Sequence, residues 1–192
     1  MDNKEEQRNI AMSTIDKSQV VTSQADVKFI ITERKAKIAN CLIKFPANVI
    51  VASAVLSSKV VIRADLGTVR IESYSIICDQ VVLRPPLTKT KEFTSITIGR
   101  HSIIGENSII KASVIGNCVR IGRNCILEDN VVVESNSIVL DNSIVSEDTL
   151  VPKGCVFGGK PARFLRKVPE TIVNDHIREA INYYNSIEVN KK

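Results

Sequence analysis

From Ile98 to Pro161 a large apolar residue returns at every sixth position, with glycine, polar and small side chains between. Written in sixes the stretch reads IGRHSI, IGENSI, a short five IKASV, then IGNCVR, IGRNCI, LEDNVV, VESNSI, VLDNSI, VSEDTL, VPKGCV and FGGKPA. First places such as Ile98, Ile121, Val133 and Phe157 are aliphatic or aromatic throughout. Fifth places such as Ser102, Ser108, Val114, Cys125 and Cys155 are small or β-branched up to Pro161. A lone helix would scatter residues of this period around its surface, and a simple strand would alternate them between faces. A period of six fits a solenoid in which three short strands close a triangular coil of roughly eighteen residues and coils stack at about 4.8 Å. The first place fills the inside of the prism, and the small fifth place fits where the walls converge. Gly99, Gly105, Gly116 and Gly122, with Asn107, Asn117, Asn124, Asn130, Asn136 and Asn142, stand where corners need a tolerant backbone.

The same register begins near Ile50, with Ile50, Leu56 and Ile62 in first places and Ala54, Val60 and Leu66 in fifth. It slips after Ile62 and resumes at Ile71, Ile77 and Leu83. Within the slip, Arg63 and Asp65 are two apart on an extended segment and so share a side, where they can pair with each other or reach a neighbouring subunit. The pattern stops at RPPLTKTKEFTS, from Arg84 to Ser95. Pro85 and Pro86 cannot donate to a strand ladder, so a loop is expected to leave the prism there, carrying Leu87 and Phe93 as apolar residues on a basic, polar segment. It is either a contact site or a tolerated insertion.

Beyond the repeat, Pro169 suits the first turn of a helix from about Glu170 to Ile187. Ile172, Val173, Ile177, Ala180, Ile181 and Tyr184 recur on one face of it and are expected to pack along a wall. At the other end, Met1 to about Ser18 is polar and expected to be disordered. The chain thus divides into that segment over 1–19, cap strands over 20–49, the solenoid over 50–162 with its loop at 84–95, and a turn, helix and tail over 163–192. The fold class is all-β, a parallel β-helix with a C-terminal α-helix.

Composition narrows the chemistry. Aromatics make up 4% of 192 residues with no Trp, so an aliphatic stack must form the core, and few rings are present for base stacking. With a net charge of only +5 and no basic helix, no nucleic-acid partner is expected. No apolar run is long enough to insert in a membrane, and a cytoplasmic location is expected. The five cysteines, Cys41, Cys78, Cys118, Cys125 and Cys155, form no Cys-x-x-Cys pair and are expected to be reduced and buried. His101 is the one histidine within the repeat and is expected at an exposed corner, and His176 at the surface or boundary of the helix.

These hexads, with the Gly159-Lys160-Pro161-Ala162-Arg163 ending, resemble the hexapeptide-repeat superfamily, and the resemblance implies a left-handed coil. Three branches of it bear on this chain. Ile62-Arg63-Ala64-Asp65 and Val69-Arg70-Ile71 resemble the γ-class carbonic anhydrases, but Arg84, Glu106 and Lys111 stand where that family has zinc-binding histidines, so no metal is expected. Hexapeptide acyltransferases use a histidine base and acyl-coenzyme A, for which His101 is the sole candidate in the repeat. The run Val61 to Ile71, the Arg84-Pro85-Pro86 loop, Ile121 to Ile126, Leu140-Asp141-Asn142 and Val151-Pro152 together resemble the family of small pointed-end subunits numbered 5 in dynactin. That resemblance implies a non-catalytic scaffold without cofactor, located at the cytoskeleton and supporting dynein-driven cargo transport on microtubules. Its implied partners are a dynactin subunit 6-like β-helical protein, the pointed-end actin-related protein and dynactin subunit 4. Arg63, Asp65, Arg84, Pro85, Pro86, Leu87 and Phe93 are the expected interface residues.

Overall fold

The computed structural model of the chain describes residues 13–15, 31–32 and 36–187. The rest of the segment expected to be disordered, and of the expected cap over 20–35, lies outside the described residues. The described chain winds into a parallel β-solenoid of about seven coils with one C-terminal helix. Its strands form three sheets of nine, seven and six strands, which are the walls of a triangular prism. Strands two or three residues long suffice because each wall contributes one inward side chain per coil.

Register explains the period. One inward column runs Ile38, Leu56, Ile77, Ile104, Ile121, Val139 and Phe157 along the nine-stranded wall. A second runs Val51, Ile71, Ile98, Ile115, Val133 and Val151. The third runs Ile43, Ile62, Leu83, Ile110, Leu127 and Val145. All but Ile38 are buried, so the three columns are the core.

Two assignments made from spacing move, by one residue at Ile50 and by two at Val114. Ile50 is half-buried and faces outward while Val51 takes the inward place, because the turn from Val51 to Leu56 is itself one residue short. Val114 is likewise an outward residue, 42% exposed, and Ala112 fills the corner of the short hexad. Leu66, placed inside by spacing, is half-buried, and Ala64 and Val69 are the buried residues of that slip. Parallel pairing also starts before Ile50. The strands Ala36–Ile38 and Leu42–Lys44 already stack on later coils, so this part of the expected cap belongs to the ladders. Ser13–Ile15 pairs antiparallel with Ala36–Ile38.

Small fifth places do more than fit. Ser102 is fully buried. Its Oγ donates to the Gly116 carbonyl at 2.7 Å and accepts the Val119 N–H at 3.2 Å, so one hydroxyl ties two coils. Ser108 repeats this with Gly122 and Cys125, and no buried side-chain polar atom among the described residues lacks a partner. Corners turn on residues with φ between 54 and 62°, among them Asn107, Asn124, Asn130, Asn136 and Asn142. Asn117 differs: Cys118 takes the left-handed conformation, and Asn117 Oδ1 accepts the Arg100 N–H at 2.8 Å. Nor do the second-place glycines serve the turn conformation. A Cβ on Gly99 would lie 2.6 Å from the Gly116 carbonyl, so glycine is required there for close approach between coils.

The helix Glu170–Ser186 packs on the nine-stranded wall, where Ala180 is buried with Val55 and Ile76 and is flanked by Ile103 and Tyr184. That wall suits a helix because its outward column reads Val55, Ile76 and Ile103. Lys37, at the head of the same column, donates from Nζ to the Tyr184 carbonyl and at 2.8 Å to the Ile187 carbonyl, over the Tyr184 ring. It thereby satisfies acceptors that a helix C-terminus otherwise leaves open. Arg120 pairs with Glu179 at 2.5 Å farther along.

Ile121→Asp or Val133→Asp is expected to unfold or aggregate the chain, since an unpaired carboxylate in these columns costs several kcal/mol, on the order of a domain's whole stability. A thermal melt checks this, and an unchanged midpoint for either variant would contradict the register.

Candidate interaction surfaces

All the candidate residues lie along one edge of the prism, between the six- and seven-stranded walls. Arg63 and Asp65 pair with each other, Nε to Oδ1 at 2.8 Å and Nη2 to Oδ2 at 2.8 Å. Arg63 holds the Asp65 carboxyl below its usual range, mainly through this hydrogen bond. The internal pair that the spacing allowed is therefore formed.

The loop from Arg84 to Ser95 does not project. Pro85 and Pro86 are buried, and Gly67 lets the loop pass so closely that a Cβ there would lie 2.6 Å from the Thr94 carbonyl oxygen. Leu87 is half-buried. Its N–H donates to Asp129 Oδ1 at 2.9 Å, and its carbonyl accepts from Asn130 Nδ2 at 3.4 Å. Thr88 closes the turn by accepting the Glu92 N–H and bonding its carbonyl, Leu87 bridges Phe93, and Lys89 pairs with Asp148 at 2.9 Å. Asp129 and Asp148 belong to later coils, so the loop is a strap laid down the edge. It crosses the short Lys111–Ser113 corner, which carries none of the left-handed residues of the regular corners. Its second half, Lys89 to Ser95, is exposed to solvent, with Phe93 at 37% exposure and Arg84 over its ring at 5.8 Å.

An apolar feature that no other described element covers was not singled out by the first-place reading. On the six-stranded wall the outward column is Leu42, Val61, Val82, Ile109, Ile126 and Ile144. Every member is aliphatic, and Leu42 and Ile109 are 55% and 37% exposed. The seven-stranded wall, by contrast, presents Ile50, Arg70, Thr97, Val114, Val132 and Leu150. The signal lay in the sixth place of every third hexad, where Ile109, Ile126 and Ile144 recur. Beside the aliphatic column, on the edge that carries the strap, run Lys44, Arg63, Arg84 and Lys111. Asp65 offsets Arg63, and Glu128 offsets Lys111 at 2.8 Å. The result is an apolar stripe of about 24 Å, taking five strand spacings, with a basic rim.

Catalytic chemistry finds little support in the geometry. His101 sits at a corner with φ 56° and stacks on Tyr74 with ring centroids 5.4 Å apart, half-buried rather than exposed. Burial, then Arg100, holds its imidazole below the ordinary value. Arg84 and Lys111 lie on successive coils of the strap edge, whereas Glu106 lies on a different edge, in a cleft of about 320 Å³ under the helix beside Cys78, Arg120 and Tyr183. Cys78 there is pushed up to about 11 by burial and Cys41 to about 12, the opposite of an activated thiol. Among the described residues no three His, Cys, Asp or Glu side chains converge as a metal-binding set.

Stacked hexads, inward aliphatic columns and left-handed corners define a hexapeptide-repeat β-solenoid. Within that class the chain belongs to the dynactin subunit 5 family, whose profile matches residues 19–189. Among solved structures the fold is similar to a variant of AntD, an N-acyltransferase from Bacillus cereus in complex with dTDP-4-amino-4,6-dideoxyglucose and coenzyme A. Identity is 19% over 77% of this chain and 87% of that one, with a TM-score of 0.60. A hexapeptide transferase family protein from Anaplasma phagocytophilum is 23% identical over 77% of this chain and 88% of that one, with a TM-score of 0.49. The likeness to the AntD variant shows the fold alone. No curated protein matches the chain.

Asp129→Ala removes the acceptor that holds the strap. Trypsin cleavage at Lys89 or Lys91 is expected to accelerate several-fold while the melting midpoint moves little, because the remaining Lys89–Asp148 pair is exposed and weak. A second expectation concerns pH. His176, like His101, is held low, first by burial and then by Arg120. Since the folded values lie below the ordinary value of 6.5, the unfolded chain takes up protons first. The stability these two residues contribute is complete above that pH and is lost as pH falls through the folded values. Melting midpoints measured from about pH 7 down to about pH 5.5 should fall, and should fall less in a His101→Gln, His176→Gln variant.

Proposed function

We propose that the chain is a non-catalytic docking subunit of the dynactin pointed end, working in the cytoplasm at the cytoskeleton and supporting dynein-driven cargo transport. The observation that carries this reading is the uncovered aliphatic wall with its basic rim. Among the described residues the helix occupies one wall and the strap fixes one edge, which leaves the Leu42-to-Ile144 column as a flat, rigid apolar face, and rigid faces lose little freedom on docking. A dynactin subunit 6-like β-helical protein is the partner proposed for this face. Its own wall would supply apolar side chains opposite the stripe and carboxylates opposite Lys44 and Arg84. The pointed-end actin-related protein and dynactin subunit 4 are proposed as neighbours. Arg84 at the root of the strap and Phe93 beyond its turn, with the Arg63–Asp65 pair, would border the contact, while Pro85, Pro86 and Leu87 hold the strap in place. The acyltransferase reading rests on the fold likeness. It is weakened by the placement of His101, stacked on Tyr74 with an arginine rather than a carboxylate as the charged neighbour that shifts it.

Ile109→Glu with Ile126→Glu alters two outward residues and should leave the circular dichroism spectrum intact while reducing recovery of dynactin subunits in a pull-down by at least tenfold. Leu87→Ser with Phe93→Ser should loosen the strap and weaken assembly less. His101→Ala should not affect assembly. Full assembly by the wall variant would move the interface elsewhere, and an acyl-transfer activity lost with His101 would establish the enzyme instead.

A further inference from the structure

The C-terminal end of the prism carries a second, chemically different surface. The strand Ala162–Lys167 pairs antiparallel with Cys155–Gly159 and is the outermost strand of the nine-stranded sheet, so among the described residues its far edge presents backbone donors and acceptors to no other strand. Arg163, Phe164, Leu165, Arg166 and Lys167 are all exposed, and Leu165 and Leu140 both lie over Gly158. Phe164, Leu165 and Leu140 are 53%, 54% and 41% exposed, and Phe164 is held edge-on to Phe157.

The charge is as one-sided as the edge is open. Residues 160–169 hold Lys160, Arg163, Arg166 and Lys167 with no Asp or Glu. Arg63, Arg70, Arg120, Arg123 and Arg178 each have a carboxylate within salt-bridge distance. Arg163 and Arg166 instead turn to carbonyls of their own strand, and Lys167 to the Cys155 sulfur. Basic residues on an edge strand disfavour pairing with a second copy of the same edge. They also select what can pair there.

We propose that this edge takes an extended acidic segment of a partner protein as an added strand. Main-chain hydrogen bonds would run to Ala162–Lys167, carboxylates would meet Arg163 and Arg166, and apolar side chains would cover Phe164 and Leu165. The bulge opposite Val156 and Phe157 limits the regular pairing to a few residues on either side of Leu165, so charge and apolar contact supply much of the affinity. This surface is separate from the aliphatic wall and does not depend on assembly in dynactin. An anionic lipid surface would satisfy the cations and the apolar side chains but leave the strand edge unused, which favours the peptide.

The purified full chain is titrated into a fluorescein-labelled ten-residue peptide of alternating Glu and Val, and anisotropy is followed. Binding is expected, weakening as salt is raised, with the Kd rising at least tenfold for Arg163→Glu with Arg166→Glu at an unchanged melting midpoint. A peptide with Lys in place of Glu should not bind. A third peptide, with proline at alternate Val positions, keeps the charge but loses main-chain donors and should also bind at least tenfold more weakly. Equal binding of the proline peptide would overturn strand addition, and no binding of the Glu–Val peptide would overturn the site. Sedimentation with phosphatidylserine-containing vesicles, without peptide binding, would assign the surface to lipid and overturn the proposal.

Discussion

Everything in this chain depends on each coil lying flat on the one before. A parallel ladder between coils satisfies backbone groups only if every coil repeats nearly the same triangle, and the triangle is kept by one inward aliphatic side chain per wall. Stacking also explains the polar details. Buried Ser102 and Ser108 bridge coils because the fifth place sits where two coils come close enough for one hydroxyl to reach both. Gly99 is glycine for the same reason, as any Cβ would push against the next coil. An insertion is therefore tolerated only at a corner, and it must lie back on the prism. The strap does this, and the one-residue shortening from Ile110 to Ile115 lies in the corner over which it passes.

Because the interior is uniform, the walls are free to differ. Three outward columns with the same backbone carry three chemistries: apolar and covered by the helix, mixed, and aliphatic with a basic rim. Docking of the helix is specified by more than its stripe. Lys37 must reach the last carbonyls and Arg120 must meet Glu179, and both lie in the outward column of that wall alone. The helix is thus directed to one wall by charge as well as by shape, and no other described element covers the aliphatic column.

Much of this fold was legible in the sequence because a period of six, with its inward first place, has one structural solution. Ile104, Ile121, Val133 and Val151 are fully or almost fully buried, as that reading requires. It failed at Ile50 and Val114, where a coil is one residue short, since counting by sixes carries no information about where a turn tightens. Corner asparagines were legible because αL geometry favours them, yet Asn117 passed that geometry to Cys118 and took a hydrogen bond instead. The strap was misread as projecting because Pro-Pro ends a strand without saying where the chain goes next. Its tethers, Asp129, Asn130 and Asp148, come from coils some forty to sixty residues away, and no local pattern pairs them with Leu87 and Lys89.

The aliphatic wall and the terminal strand stand in a fixed relation that few folds can offer. A globular domain's loops move relative to one another, but here the surfaces belong to two ladders, the six- and nine-stranded walls, wound from the same coils, and displacing one would mean shearing parallel hydrogen bonds across several coils. A partner bound along the wall approaches perpendicular to the prism axis, whereas a strand added beyond Ala162–Lys167 extends the sheet along that axis. The two proposed contacts therefore hold their partners at roughly a right angle without any hinge between them. Their chemistries also keep them from exchanging occupants, since the wall selects a flat apolar surface and the edge selects an extended acidic one. On this reading the rigidity and charge pattern of the prism, rather than a reactive side chain, are what the chain contributes to an assembly.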